Sequence, residues 1–400
     1  MIDFSSPDLR RNPFPFYAQV RGGAPVVHDP ATDAWLILDY TGVKQALTDP
    51  DLFSSSMSYA GRGNPDWMIF MDPPRHAKLR SLISQAFTLR AISNLEQRIR
   101  TLSCELLDEV IDRGEMDLVA DYATPLPMMV IAEMIGISPA EWARFRAWSD
   151  VILRLSHTLG AGPAASTAVM EYAVVKAEMS LYLQTIIDQR RAIPRNDLLS
   201  RLVHAEVDGD SLADEEIEAF IELLIVAGQE TTSNLISNAV LSLSQFPTEL
   251  RRLTRSWDLL PVAIEEILRF RSPVQWVLRS TLASVTMHGQ VIPAGALVLP
   301  LIGSANRDPQ HFPEPDRFDV TRNPNAHLAF GHGVHFCIGA ALARLEARVA
   351  LPDLYSRLRK LEVADAEPWK PRDAFHVLGP SRLLVRFDPG APLASAEAVS

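Results

Sequence analysis

Cysteine is almost missing from this chain, with two in 400 residues, Cys104 and Cys337. Two thiols cannot form a disulfide framework, so a small secreted scaffold is excluded and a reducing cytoplasm fits best. The first residues, MIDFSSPDLRRNPFPF, hold no apolar run, so no secretory signal peptide is expected. No stretch reaches the roughly 18 uncharged apolar residues that a membrane span needs. Positive charge is in deficit, with 38 Lys and Arg against 49 Asp and Glu, a net charge of −11. An acidic chain repels nucleic acid and anionic membrane, so general binding to either is not expected, although local basic patches are allowed. Internal repeats, low-complexity segments and linker-like boundaries are also lacking.

What is present is ordinary for a globular protein: 47% hydrophobic and 22% charged residues. Disorder, collagen and coiled coil are thereby excluded. A chain this long buries most of its apolar surface without staples. The 29 prolines suggest many helices joined by defined turns. Residues 12–40 read as turns followed by two short strands, VVHDP and AWLILD. From about 85 to 245 the period is helical. Ile92, Leu95, Ile99, Leu102, Leu106 and Val110 fall three or four apart and mark one amphipathic helix. Residues 214–246 form the longest helical candidate, with Asp214 and Glu215 where the macrodipole favours anions and with a nearly all-apolar centre. Another helix spans 260–271 and stops at Ser272-Pro273. Alternation around Gly289 and Gly295 predicts hairpins over 274–302, and residues 305–330 predict a long irregular loop of the functional or tightly tied kind. A last helix is expected from about 338 to 358, with a kink at Pro352. The fold class is therefore mainly α with minor β, an α+β single domain over 1–387, with a flexible tail at 388–400.

The chemistry concentrates in Phe330–Gly339, FGHGVHFCIG. Cys337 stands just before a helix start, where unpaired N–H groups and the dipole stabilise a thiolate. Gly331, Gly333 and Gly339 let backbone approach something flat and large. A thiolate there suits an axial iron ligand. A buried structural cysteine, or zinc held with His332 and His335, is the alternative from these residues alone, although a structural zinc needs four ligands and Cys104 lies far off.

The loop resembles the signature of the cytochrome P450 family, F-x-x-G-x-H-x-C-x-G, at Phe330, Gly333, His335, Cys337 and Gly339. Other family motifs follow in order. Glu266 and Arg269 match E-x-x-R, and Pro315-Asp316-Arg317-Phe318 resembles the segment that supplies a second arginine, here Arg317, to that carboxylate. His76 and Arg80, four apart, match the H-x-x-x-R pair that binds haem propionates; Arg279 and His335 complete that set. AGQETT, from Ala227 to Thr232, resembles the oxygen-activation motif. The resemblance spans about residues 12–387. It implies a haem-thiolate monooxygenase of the soluble bacterial type, with haem b, O2 as co-substrate, and NAD(P)H electrons arriving through a ferredoxin or similar donor. Cys337 would be the axial ligand, Thr231 would hydrogen-bond the oxygen or its water, Glu230 would relay protons, and Ala227 would lie against the haem. Gly228 and Thr231 are locally awkward in a buried helix, as expected of a functional site.

The family's pocket position maps to Met68, Ile69, Phe70 and Met71, to Leu223 with Ala227, to Val274 through Val277, and to Leu378. These are mostly apolar, so a largely apolar small substrate is expected, with Gln275 and Trp276 adding polar contacts if they face in. Segment 152–176, with Gly160, Gly162 and Pro163, is a candidate lid. Arg344 and Arg348, four apart, with Arg75 and Lys78, suggest a basic docking patch for an acidic donor, unless Glu346 or its neighbours pair with the arginines. A peroxide-driven peroxygenase and a non-turnover haem sensor are the competing functions; the acid–alcohol pair counts against both.

Overall fold

A computed structural model describes residues 6–56, 66–157, 163–364, 369–374 and 376–390. The helix Asp214–Gln245 runs through the middle of the molecule, its ends far apart at about 1.5 Å per residue. Asp214, Glu215 and Glu216 occupy its first turn, and the Glu216 carboxylate accepts from the Ala213 N–H at 3.0 Å. Around it pack the helices Glu96–Asp108, Pro125–Ile135, Trp142–His157, Pro163–Ala192, Leu260–Phe270 and Ala340–Arg357. Their apolar faces form the largest core cluster, in which Leu102, Ile131, Ile187, Ile221 and Leu354 are fully enclosed.

The expected single helix from Ile92 to Val110 is two. Leu89–Ser93 and Glu96–Asp108 meet at Asn94-Leu95, and the same apolar spacing continues across the break. Residues 14–23, expected as turns, are helical, with Pro15 early in the first turn where its missing N–H costs nothing. Pro352 lies within the last helix, which continues to Arg357; the carbonyl it deprives of a partner belongs to Arg348 on the exposed face.

The strands are short and peripheral. A five-stranded sheet runs in the order Val26–Asp29, Ala34–Ile37, Leu297–Pro300, Arg279–Thr281, Phe53–Ser54, with its one parallel pairing between 34–37 and 297–300. Val285–Met287 and Gln290–Ile292 form the expected hairpin, turning at His288 and Gly289, both with positive φ. Glu362–Val363, Leu384–Arg386 and Glu115–Asp117 make a second sheet. Asp388 and Gly390 donate their N–H groups to Arg359 and Ile111 carbonyls, so the expected tail at 388–400 starts too early; residues 391–400 lie outside the described set. Among the described residues one stretch, Leu118–Ile135, is long and apolar enough to cross a membrane, and 67% of it is buried in the core beside the central helix.

Candidate active site

The signature loop sits where the last helix begins. Cys337 donates its N–H to Phe330 O at 2.9 Å, closing a tight turn, and Ala340 opens the helix two residues beyond Ile338. Gly331 and Gly333 both hold φ of +70°, and a Cβ on Gly333 would come within 2.8 Å of Leu47 O. That glycine is required by packing on helix Tyr40–Thr48 as well as by φ. Gly339 has φ −81° and only an ordinary approach to Cys337 Sγ. Burial pushes the Cys337 thiol up; the Gly339 N–H, the Arg80 and Arg344 guanidiniums and the Ala340 N–H pull it back. Among the described residues no group of three or more His, Cys, Asp and Glu could hold a metal ion, so the zinc alternative has no ligand set.

Four basic groups converge here, from two other places in the chain and from the loop itself. His76 and Arg80 come from helix Arg75–Ala86, Arg279 from the sheet, and His335 from the loop itself. The His76 and His335 rings lie 4.1 Å apart. Arg80 Nη2 donates to Phe336 O at 2.6 Å and Arg279 Nη1 to Leu278 O at 2.7 Å. Both ring nitrogens of His76 are buried with no hydrogen-bond partner. Burial and then the Arg80 charge lower His76; burial, His76 and Arg279 push His335 down to about 3; burial brings Arg279 to about 10. A partly buried set of donors that disfavour each other's charge is matched by an anion, and two carboxylates would relieve it.

On the central helix Ala227 is exposed between half-buried Val226 and Gly228, and one turn further Thr231 is half-buried between buried Glu230 and Thr232. The Thr231 hydroxyl donates to Ala227 O at 2.5 Å. Glu230 is buried and faces Arg372, whose Nε lies 3.5 Å from it. Arg372 also donates to Asn234 Oδ1 at 2.8 Å and Ser233 Oγ at 3.2 Å. Periodicity carried no signal for Arg372, which comes from a different region of the chain. Gly228 has a simpler reason than strain: a Cβ there would meet Ile131 Cδ1 at 2.7 Å, so the glycine lets helix Pro125–Ile135 close on the central helix.

The E-x-x-R pair is fully buried, and Arg269 grips Glu266 through two bonds of 2.7 and 2.8 Å. The second guanidinium belongs to Arg322, 3.2 Å from the Glu266 carboxylate, and Arg317 is a correction. The Arg317 side chain is 58% exposed and pairs with Glu314; only its carbonyl joins the cluster, accepting from Arg269. Arg322 Nη1 and Nη2 also hold the Pro313, Glu314 and Arg317 carbonyls, so it ties the irregular loop together.

The pocket candidates separate. Leu223 precedes Ala227 by one turn on the same face but is buried in the main core, and Val274, Val277 and Phe70 are partly open. Met68 is buried in the main core and Ile69 is 42% exposed. Leu378, Trp276 and Gln275 are buried. Leu378 and Trp276 pack with Phe14 and Tyr17 against the sheet, and Gln275 is buried, donating to Ser272 O. The lid tip at 158–162 lies outside the described residues, between helices Trp142–His157 and Pro163–Ala192. Arg344 does not pair with Glu346: it makes a bidentate pair with Glu265, both bonds 2.7 Å, and stacks 4.4 Å over Phe330. Burial pushes the Glu265 carboxyl up, but Arg344 and His327 outweigh it and hold it at about 2. Arg348 and Arg75 are exposed, and Lys78 pairs with Asp210 at 2.9 Å.

A thiol in a glycine loop beside four basic groups suits a haem-thiolate protein of mainly helical fold. The family model for cytochrome P450 matches residues 169–385, and the chain belongs to that family. It is 43% identical to cytochrome P450 107B1 of Saccharopolyspora erythraea over 378 residues, 90% of each chain. It is 38% identical to the cyclomarin C epoxidase CymV of Salinispora arenicola over 371 residues, 91% of this chain and 93% of that one. The crystal structure of CYP109E1 from Bacillus megaterium in complex with testosterone superposes with a TM-score of 0.87 at 38% identity, covering 94% of this chain and 99% of that one. The protein is a monooxygenase that uses haem b, O2 and NAD(P)H electrons delivered by a separate redox partner, and it acts on small organic substrates.

Proposed function

We propose that Cys337 ligates the haem iron and that His76, Arg80, Arg279 and His335 hold its propionates. The observation that carries this is the buried, unpartnered His76 ring in a cluster of four basic groups next to the cysteine loop. The haem, when bound through a thiolate, supplies the electron donation that favours O–O cleavage. The chain's own residues then deliver protons and exclude water. The Thr231 hydroxyl, donating to Ala227 O, keeps its lone pairs free to accept from a water on the open side of the helix. Glu230, beside Arg372, passes protons from solvent toward that hydroxyl. Leu223, Val274, Val277 and Phe70 give an apolar wall, so the substrate is largely apolar; steroids, one of which occupies CYP109E1, are the first probes. The electron donor is a ferredoxin, acidic and drawn to the exposed Arg75 and Arg348. A reducing cytoplasm suits Cys104 and Cys337, both free thiols. The test compares product formed with NADPH, a reductase and a ferredoxin against product formed with peroxide alone. Turnover by the first route supports the reading; turnover by peroxide alone refutes it. Reduced protein with carbon monoxide should show the red-shifted thiolate Soret band, and a histidine-type band would remove Cys337.

A further inference from the structure

We propose that Ser55 is a positioning residue for haem retention: its hydroxyl sets the orientation and tautomer of the His335 ring, and Asp72 holds Ser55 in place. This rests on the reading of His335 as a propionate donor. The edge strand Phe53–Ser54 pairs with Arg279–Thr281, Ser54 opposite Ser280, which brings the chain beside the Arg279 strand. Immediately after it, Asp72 takes both serines. The Ser55 N–H donates to Asp72 Oδ1 at 2.8 Å and the Ser54 hydroxyl donates to Asp72 Oδ2. Ser54 and Ser55 are 2% and 3% exposed, so this anchor is dry. Asp72 uses the Ser55 amide and leaves the Ser55 hydroxyl free. That hydroxyl lies 3.0 Å from His335 Nε2.

A neutral imidazole carries one N–H, and the hydrogen bond at one nitrogen decides which. A hydroxyl donating to Nε2 makes Nε2 the acceptor and leaves Nδ1 as the N–H. Only an N–H can serve a carboxylate; the other tautomer would aim a lone pair at it. With the Ser55 hydroxyl as the donor to Nε2, His335 is pre-set as a donor at Nδ1, in the way that outer partners orient metal-binding histidines. The three groups come from positions 55, 72 and 335.

The test uses holoenzyme and follows haem transfer to excess apomyoglobin by the Soret band, with resonance Raman of the propionate bending modes. Ser55→Ala should lose haem about five- to tenfold faster, the worth of one hydrogen bond, and should shift the propionate modes as His335→Ala does. In a His335→Ala background, Ser55→Ala should add nothing, because the serine acts through the ring. Wild-type haem loss in Ser55→Ala overturns the proposal, as does an equal acceleration in the His335→Ala background. None of these readouts depends on turnover, so the oxygenation reading stands or falls separately.

Discussion

At the scale of single residues, Thr231 and Glu346 differ in what their environments permit. Thr231→Ala removes one hydroxyl and one methyl from a half-buried site and should cost only about 1–2 kcal/mol of stability. Its larger effect should be uncoupling, with reducing equivalents diverted to peroxide or water. Product per NAD(P)H consumed is the measurement, and an unchanged ratio would take Thr231 out of the proton path. Glu346 sits in the helix after Cys337, 1% exposed, with Oε2 unpartnered, and burial pushes its carboxyl up to about 8. The unfolded chain releases that proton near pH 4.5, the folded protein near pH 8. Stability from this group is thus complete below pH 4.5 and is lost as pH rises toward 8, amounting to roughly 3 kcal/mol by neutral pH. Glu346→Gln should flatten the melting temperature against pH between 5 and 8 and raise it at pH 7.5. Identical pH slopes in the two proteins would place the titration elsewhere.

Elements are held together by a few buried charges, and those determine which substitutions matter. Arg322 fastens the irregular loop to helix Leu260–Phe270 through Glu266, whereas Arg317 stands on the surface with Glu314. Removing one partner of a buried cluster costs about 3–5 kcal/mol, and breaking a surface pair costs under about 1 kcal/mol. Arg322→Ala should therefore lower the denaturation midpoint steeply and impair haem loading; Arg317→Ala should leave both within experimental scatter. Equal losses from the two would contradict the assignment. Arg344 acts similarly on the last helix: Glu265 takes its charge and Phe330 its flat face, so it stiffens the cysteine loop and offers little to a partner.

For the whole molecule the proposed acidic ferredoxin raises the question of how an acidic protein would meet it. The net charge of −11 repels at long range, so a local basic surface must do the steering. Of the four candidates Arg344 and Lys78 are paired, and Arg348 and Arg75 are exposed with no ion pair among the described residues. The rate of first electron transfer from a ferredoxin should fall steeply as salt rises, since exposed charges are screened beyond about 8 Å at physiological ionic strength. Arg348→Glu should slow that step and leave substrate affinity alone. A salt-independent rate that ignores the substitution would discard the patch.

The cysteine loop, the E-x-x-R pair, the H-x-x-x-R pair and the acid–alcohol pair were legible in the sequence, because each is local. Residues three or four apart on a helix share a face whatever surrounds them, and a glycine with positive φ marks a turn by itself. The central helix was legible for the same reason, from its apolar run and acidic first turn. The break at Asn94-Leu95 was not, because an apolar stripe continues through it. Only the tertiary structure decided which arginine of the irregular loop meets Glu266, that Arg372 holds Glu230, that Leu378, Trp276 and Gln275 lie in the core, and that Ser55 reaches His335. These pairings join segments tens to hundreds of residues apart through loops with no period. Their geometry is set by how the sheet and helices pack, and no local spacing encodes it.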